Sequence, residues 1–362
     1  MSSPIVGSRI TRVLMLAALV LLAAGAAQAQ PFDAWYVLTG QPTNGWINIP
    51  DSPTLDISGN FTFEAWVSIT NSTTGEDCRS IAGKAYTETW WIGQCNVGGQ
   101  PTLRSYLKGS GSARNGGIIP RGVLTHIAVV FNGTQRLHYI NGELAATFAE
   151  SSPLPTNGQP IQIGSDVNWI HTPAGLIDEV RLWNVARTEQ QIRANLNKRI
   201  AAQAGLVGHW QLDANANDTS GGGHHGTVQG AGTGFLSWPA GPHCTTSTAA
   251  ALCLQNRFVI SSQWRTNPTP GTPTDGTGPA VIAGPNSGIF YFFSSDNWEI
   301  MVKALNGCGL NNRYWIFSAA TTNVFYRMTV FDSLHPEQKI YFNYAGPPAP
   351  AVTDTDAFAT CP

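Results

Sequence analysis

The sequence contains few charged residues. Lys, Arg, Asp and Glu together make up 12% of its 362 residues, and no block of basic residues occurs anywhere along it. Proteins that bind nucleic acids depend on clustered Lys and Arg to neutralise phosphates. We therefore expect no nucleic acid among the partners of this protein.

Long apolar runs are also absent, apart from one near the N-terminus. The run "VLMLAALVLLAAGAA" follows Arg9 and Arg12, and the small residues "AQA" at positions 27–29 offer a cleavage site. This pattern predicts a secretory signal peptide at residues 1–29, with a membrane anchor as the alternative. No later run approaches the ~20 residues that cross a bilayer, so no membrane span is expected after cleavage. Without residues 1–29 the chain keeps 18 of its 20 basic residues and all 22 acidic ones, a net charge of −4. We predict that it is extracellular or periplasmic.

No Cys-x-x-Cys spacing occurs, which argues against a zinc knuckle or a redox motif. In an exported chain the six cysteines instead predict disulfides. They form an early pair and a late group: Cys78 and Cys95, then Cys244, Cys253, Cys308 and Cys361. If pairing stays within each group, the early pair is joined and the late group allows three pairings. Of these we favour Cys244–Cys253 with Cys308–Cys361.

Short alternating segments separated by Gly, Pro and Asn fill the chain from about residue 30 to residue 230. In "FTFEAWVSI" every second residue from Phe61 to Ile69 is apolar, so these side chains would share one face of a strand. Asn141-Gly142 predicts a hairpin turn. Many short strands at this spacing indicate a sandwich or a barrel. One helix is predicted after Thr188, where Gln191 completes a capping box.

The segments "FTFEAWV", "THIAVVFNG", "LHYINGE", "IQIGSD", "GLIDEVRLWN" with the following "ARTEQQI", and "GHWQLDANANDTSGGGHHGT" occur in this order. Together they resemble the laminin-G-like, concanavalin A-like jelly-roll family, over roughly residues 32–230. The resemblance implies two antiparallel sheets packed face to face, one of them concave. It also implies ligand sites on the concave face or in the loops at its rim.

Residues 253–362 contain a second group of strand-like segments, among them "SGIFYFFSS" and "VFYRMTVFD". We predict a smaller β-sandwich there, which resembles a C-terminal module of secreted bacterial proteins with no assignable activity. The low-charge stretch 231–252 is predicted to be a linker. The expected fold is thus all-β: a concanavalin-like, laminin-G-like jelly-roll sandwich at residues 30–230, the linker, and the second β-sandwich.

The sequence lacks the residue patterns of two hydrolase classes. Glucanases of the resembled fold carry Glu-x-Asp-x-Glu on one strand, and this spacing is absent here. No Gly-x-Ser-x-Gly elbow occurs either. Glu64 has no second acid two or four residues away. We interpret Glu64 as a structural residue that forms an ion pair with Arg181 on the neighbouring strand. We therefore expect no catalysis. A glycan-active enzyme with an unfamiliar site, acting through Glu64 or Glu179, is one alternative.

The strand "GLIDEVRLWN" raises the question of a metal ion. As a regular strand it would place Asp178 on one face with Leu176, Val180 and Leu182. A buried carboxylate needs a partner, because an unpaired buried charge is costly. Relatives of the resembled fold often hold one Ca²⁺, which makes Asp178 a candidate ligand of a structural calcium ion. Backbone N–H groups or a nearby Arg would serve equally well.

Two further segments could suggest a metal. "DANAND" at residues 213–218 begins like an EF-hand loop, but Asp218 stands where the loop needs Gly and His224 replaces its last Glu. We interpret it as an Asx-rich turn. His224 and His225 are consecutive and would point to opposite faces of a strand, so we assign them to a turn as well.

Aromatic residues outside the alternating pattern are the candidates for recognition. Trp90 is followed by Trp91, so one of the two must leave the core face, and Tyr106 lies on a neighbouring segment. Trp169 and His171 lie in a loop before the Asp178 strand. Exposed aromatic rings stack on sugars and dominate protein interfaces. We predict a secreted carbohydrate- or glycoprotein-binding protein that uses Trp90, Tyr106, Trp169 and His171. A protein-binding adhesion or scaffolding module is the main alternative.

Overall fold

The computed structural model describes residues 34–40, 45–70, 77–109, 111–150, 153–168, 171–231, 233–237 and 243–362. The predicted signal peptide at residues 1–29 and Trp169 lie outside these ranges. Within them, no helix combines the length and the apolar character that crossing a membrane requires.

The first domain consists of fifteen short strands, one 3-10 turn at Pro53–Leu55 and one helix, α1 (Glu189–Asn195). Its strands are β1 (Ala34–Thr39), β2 (Trp46–Ile49), β3 (Phe61–Ile69), β4 (Cys78–Lys84), β5 (Trp90–Val97), β6 (Gln100–Leu107), β7 (Ser112–Ile118), β8 (Thr125–Phe131), β9 (Gln135–Ile140), β10 (Glu143–Ala149), β11 (Ile161–Ile163), β12 (Ala174–Trp183), β13 (Leu206–Trp210), β14 (Thr227–Gln229) and β15 (Thr233–Ser237).

These strands form two antiparallel sheets. The eight-stranded sheet has the order β10-β9-β8-β3-β12-β1-β15, with β13 paired to β12. The seven-stranded sheet has the order β14-β2-β11-β4-β5-β6-β7. The two sheets pack face to face around one hydrophobic core, which confirms the predicted concanavalin-like sandwich. The stretch predicted to be a linker contributes β15, because this strand pairs with β1 and Phe235 packs on Tyr36.

Strand β3 confirms the predicted alternation, since Phe61, Phe63 and Val67 all point into the core between the sheets. All nine residues of β3 are nevertheless buried, including the polar side chains on its other face. The outer face of the eight-stranded sheet is covered by α1 and by the second domain. Helix α1 begins with the predicted capping box: the Thr188 hydroxyl accepts a hydrogen bond from the Gln191 backbone N–H at 3.2 Å.

The second domain is a smaller β-sandwich with one short helix, α2 (Cys308–Asn311). Its strands are β16 (Leu252–Leu254), β17 (Phe258–Arg265), β18 (Gly276–Gly278), β19 (Ala280–Gly284), β20 (Ser287–Tyr291), β21 (Trp298–Asn306), β22 (Tyr314–Ala320), β23 (Phe325–Asp332), β24 (Glu337–Asn343) and β25 (Val352–Phe358). One sheet has the order β16-β17-β23-β24, with β18 paired to β17, and the other has the order β19-β20-β21-β22-β25. This confirms the predicted second sandwich.

The two domains pack through the outer faces of two sheets. Trp66 on β3 stacks with Phe342 on β24, with 6.5 Å between ring centroids. Arg265 and Glu143 form a buried ion pair at 2.6 Å across the interface. The Tyr344 hydroxyl donates a hydrogen bond to the Asn141 carbonyl at 3.0 Å. The second domain therefore covers the eight-stranded sheet with both apolar and ionic contacts.

All three favoured disulfides are confirmed. Cys78–Cys95 joins the neighbouring strands β4 and β5. The late cysteines form Cys244–Cys253 and Cys308–Cys361, and no cysteine among the described residues is free.

Candidate functional site

Three aromatic side chains and a disulfide form a cluster on the outer face of the seven-stranded sheet. We call Tyr86, Trp91 and Tyr106 the aromatic cluster; they pack around Cys78–Cys95. Tyr86 meets Tyr106 edge-on at 4.9 Å and Trp91 edge-on at 5.6 Å between ring centroids. Trp91 and Tyr106 are buried, whereas Tyr86 is half-buried. Tyr86 is thus the member of the cluster that a ligand can reach.

The turn that carries Tyr86 is strained. Ala85 and Thr87, on either side of it, have φ values of 64° and 69°. Positive φ is unfavourable for residues with a Cβ, above all for a β-branched residue such as Thr. Conformations of this kind persist only where the surroundings impose them, and they concentrate at binding and catalytic sites. The strain marks this turn as a functional candidate.

Two hydrogen bonds impose the conformation of the Tyr86 turn. Asp166 accepts a bond from the Tyr86 backbone N–H at 2.8 Å, and the Asn168 amide donates to the Tyr86 carbonyl at 3.0 Å. Asp166 is completely buried and lies directly against β4, where a Cβ on Gly83 would come within 2.1 Å of its Oδ2 atom. Only glycine therefore allows this carboxylate to hold the turn.

Polar side chains surround the aromatic cluster. Asp77 forms an ion pair with Arg79 at 2.7 Å and lies within hydrogen-bonding distance, 3.1 Å, of His171 Nδ1. On the other side of the cluster the Arg104 guanidinium donates to the Asn115 side-chain carbonyl at 2.5 Å. These groups combine hydrogen-bond donors and acceptors around an aromatic surface, which is the usual composition of a site for a small polar ligand. We call Asp77, Arg79, His171, Arg104 and Asn115 the polar rim.

The predicted recognition residues divide between this site and the core. His171, with 37% of its side chain exposed, belongs to the polar rim. Tyr106 belongs to the aromatic cluster but is only 7% exposed, and Trp90 is 3% exposed and packs on Phe63 in the core. The expectation that Tyr106 and Trp90 are accessible is therefore wrong. Consecutive strand residues point to opposite faces, and it is Trp91 that leaves the core. Trp169 lies outside the described residues.

Sequence reasoning missed Tyr86. The sequence feature that could have revealed Tyr86 is the segment "KAYTETWW". In it, an aromatic residue lies in a turn directly before the strand that carries both tryptophans. The turn contains no glycine or asparagine, so nothing in its composition reveals the two positive φ angles.

Asp178 is completely buried, but not in the way the pattern predicts. A β-bulge interrupts the pairing of β12 with β3 after Asp178, and Glu179 in the bulge has a φ of 50°. The extra residue reverses the alternation, so Val180 and Leu182 enter the core while Asp178 faces the other way. The expectation that Asp178 shares a face with Val180 and Leu182 is therefore wrong.

Within the described ranges, no three His, Cys, Asp or Glu side chains come together as a metal-binding group. Among these residues a calcium ion at Asp178 would thus have at most one further acidic ligand and would depend on backbone and amide oxygens for the rest, as calcium sites can. Calcium binding by Asp178 stays a prediction. The "DANAND" segment forms the expected Asx turns, since Asn215 accepts from the Asn217 backbone N–H and Asp218 from the Ser220 backbone N–H, both at 2.8 Å. Asp218 also accepts backbone N–H bonds from His209 and His224 at 2.9 Å. These bonds outweigh burial and lower the pKa of Asp218.

Two buried charge groups lie on the outer face of the eight-stranded sheet. Glu64 stands opposite Arg181 in the β3–β12 register, but its ion pair is with Arg187 at 3.2 Å, and its other carboxylate oxygen lies 3.4 Å from His126 Nε2. Arg181 instead pairs with Glu179 at 2.6 Å. Glu64 and Arg181 are thus cross-strand neighbours, as predicted. The predicted ion pair between them does not form, because Glu64 pairs with Arg187 and Arg181 pairs with Glu179.

Both glutamates in these groups are ionised. Burial alone would raise the pKa of Glu179, but Arg181 and His209 lower it to about 2. For Glu64, burial is likewise outweighed by His126 and the neighbouring arginines, so its pKa is lowered. Glu64 and Glu179 are 0% and 1% exposed. Arg187, the partner of Glu64, lies directly before α1.

Residues 40–193 match the family model described as the Concanavalin A-like lectin/glucanases superfamily. No curated protein matches the sequence. Among solved structures, a candidate carbohydrate-binding protein of Bacteroides ovatus is 21% identical, with a TM-score of 0.48, over 58% of this chain and 61% of that one. The match spans less than two thirds of the Bacteroides protein.

Two other solved structures are similar over less than half of this chain. Domain 4 of an extracellular GH43 arabinanase from Geobacillus stearothermophilus, in complex with arabinotriose, is 26% identical with a TM-score of 0.36, over 44% of this chain and 75% of that one. A heptameric SAP-like pentraxin from Limulus polyphemus is 15% identical with a TM-score of 0.37, over 45% of this chain and 81% of that one.

Proposed function

We infer that the protein is an exported, non-catalytic binding protein that recognises carbohydrate on the outer face of its seven-stranded sheet. The match of residues 40–193 to the model of the concanavalin A-like lectin/glucanases superfamily is consistent with a sugar ligand. The observation that carries this proposal is the aromatic cluster with its strained Tyr86 turn and its polar rim. An aromatic ring presents an apolar face to a sugar ring, and the rim supplies partners for sugar hydroxyls. The three disulfides support an oxidising compartment outside the cytosol.

The location of the carboxylates supports a non-catalytic role. Glycoside hydrolysis needs two carboxyl groups that both reach the scissile bond. Glu64 and Glu179 are 0% and 1% exposed, so a saccharide does not reach them. On the proposed site, Asp77 is engaged by Arg79 and His171. An enzyme acting through Glu64 or Glu179 would show turnover that is lost in Glu64→Ala or Glu179→Ala while the fold persists.

The proposal is tested with a glycan array and a single substitution. We expect the mature chain to bind a defined set of glycans and Tyr86→Ala to weaken that binding by about tenfold or more, because the ring is the accessible part of the cluster. Tyr291→Ala, which truncates a half-buried tyrosine of the second domain, is the matched control and should bind as the wild type does. A silent array, or equal binding by Tyr86→Ala, would contradict the proposal.

Exposed apolar side chains on the second domain favour the alternative, in which the protein is a protein-binding module. Trp298 is 61% exposed and Met301 46% exposed, and a groove of about 350 Å³ lies between Met301, Phe317 and Val352. Exposed apolar patches of this kind often mark protein interfaces. A partner protein bound by the full chain, together with a silent glycan array, would favour this adhesion or scaffolding role over sugar binding.

A structural calcium ion at Asp178 belongs to the same proposal. A ligand that binds only the folded state raises the melting temperature. We therefore expect a chelator to lower the melting temperature of the wild type and to leave that of Asp178→Asn unchanged. An identical melting temperature of the wild type with and without chelator would reject the ion.

A further inference from the structure

A cavity of about 120 Å³ lies between the two domains, next to the ion pair of Arg265 and Glu143. The first domain contributes Pro120, Val123, Thr125, Ile140 and Asn141 to its walls, and the second domain contributes Gln263, Arg265, Phe325, Arg327 and the loop 271–274. One ordered water needs only ~10–15 Å³ of such space. The cavity can therefore hold a chemical group several times larger than a water molecule.

Arg327 differs from every other buried arginine in the described part of the chain. Six arginines are buried there, and five of them form an ion pair with a carboxylate. These five pairs are Arg136–Glu150, Arg181–Glu179, Arg187–Glu64, Arg257–Asp332 and Arg265–Glu143. Arg327 is 8% exposed, and no described residue forms a hydrogen bond or an ion pair with its guanidinium.

The charge of Arg327 is present at neutral pH and is not compensated. Burial lowers its pKa from 12.5 to about 10, and no neighbouring charge contributes to this shift. Arg265, the other arginine on the cavity wall, is neutralised by both oxygens of Glu143, at 2.7 and 2.6 Å. The cavity therefore contains one net positive charge.

An isolated buried charge is unfavourable, and a counter-ion removes the penalty. The guanidinium is a planar fork of donors that matches the two oxygens of a carboxylate. One uncompensated positive charge matches one negative charge. Gln263, which is opposite Arg327 in the β17–β23 register, offers an amide, and Thr272 and Thr274 offer hydroxyls for further polar contacts. Pro120 and Phe325 supply an apolar wall.

We propose that this interdomain cavity binds the carboxylate of an acidic monosaccharide, a hexuronate, with Arg327 as its charge partner. The carboxylate pairs with the guanidinium, and the sugar hydroxyls meet Gln263 and the threonines of the loop. This site is separate from the aromatic cluster, so the proposal holds or fails independently of glycan binding there.

The test is titration of the full chain with glucuronate and galacturonate in a calorimeter, with glucose and galactose as neutral counterparts and with acetate and sulfate as simple anions. We expect saturable binding of a hexuronate that weakens as salt is raised, and none of the neutral sugars. Arg327→Met should reduce the affinity by about tenfold or more, which corresponds to about 1.4 kcal/mol. Lys303→Gln is the matched control: it removes one positive charge from an exposed position of the second domain and should leave binding intact.

A second readout separates binding from folding. Because the charge of Arg327 is uncompensated, Arg327→Met should melt at the same temperature as the wild type or higher in the absence of ligand. If Arg327→Met does not fold, Arg327→Lys keeps the charge without the fork and should still bind more weakly. Absence of hexuronate binding to the wild type, or undiminished binding by the Arg327 variants, would overturn the proposal. Equal affinity for acetate or sulfate would overturn it as well, since the cavity would then be a simple ion site.

Discussion

The imidazole of His138 should make the stability of the first domain depend on pH. His138 lies on β9 and is completely buried, with Nε2 2.7 Å from the Ser105 hydroxyl and Nδ1 3.2 Å from the Gly116 carbonyl. The Phe148 ring packs against it at 5.3 Å, and Arg136 is a nearby positive charge. Burial, assisted by Arg136, lowers the pKa of His138 from 6.5 to about 3. The folded protein therefore keeps this side chain neutral.

The sign and size of the effect follow from the two pKa values. The unfolded chain binds a proton at His138 near pH 6.5, whereas the folded chain does so only near pH 3, so stability is complete above the unfolded value and is lost as the pH falls below it. Each pH unit in this window is worth about 1.4 kcal/mol. Between about pH 7 and about pH 5, His138 should lower the free energy of unfolding by about 2 kcal/mol.

The assay compares the wild type with His138→Gln, whose amide can replace both hydrogen bonds without titrating. Urea unfolding at about pH 7 and about pH 5 should show the wild type losing about 2 kcal/mol more than the variant, because other titrating groups cancel in the difference. His243→Gln changes an exposed histidine and should follow the wild type. If His138→Gln loses as much stability as the wild type, the buried neutral state of His138 is refuted.

Two further predictions concern strain and the domain interface. Thr87→Gly should raise the free energy of unfolding by about 1 kcal/mol, because glycine adopts a φ of 69° without penalty; a lower melting temperature would show that the turn is not strained. Glu143→Gln should lower the free energy of unfolding by about 3 kcal/mol, because it leaves Arg265 buried without a counter-charge. The double variant Glu143→Met with Arg265→Met should recover most of this loss in thermal melting, and no recovery would show that the ion pair is not the cause.

The pairing of β12 with β3 shows where sequence patterns stop being informative. The alternation of β3 is regular, and its facing residues were assigned correctly from the sequence. In β12 one extra residue at Glu179 reverses the alternation, and no glycine or asparagine marks the bulge. Its position depends on the hydrogen bonds of both neighbouring strands, which are distant in sequence.

The aromatic site could be predicted only in part, because the rest of it depends on strand register and on contacts between distant segments. The sequence indicates that one of Trp90 and Trp91 must leave the core, since adjacent strand residues face opposite ways. Which of them leaves depends on the register of β5 between β4 and β6. Tyr86 joins the site only because Asp166, eighty residues further along, holds its turn.

The sequence by itself determined the two antiparallel sandwiches, the Asn141-Gly142 hairpin, the α1 capping box and the Cys78–Cys95 disulfide, because these depend on short-range periodicity, turn chemistry and the division of the cysteines between two domains. The choice among the three pairings of the four late cysteines needed the tertiary structure. Tertiary structure alone decided which sheet face is covered, why Glu64 is buried although it lies on an outer face, and which buried arginine is left without a carboxylate. Burial and charge pairing are properties of whatever packs against a side chain, and here the partners of each strand come from distant segments and from the other domain.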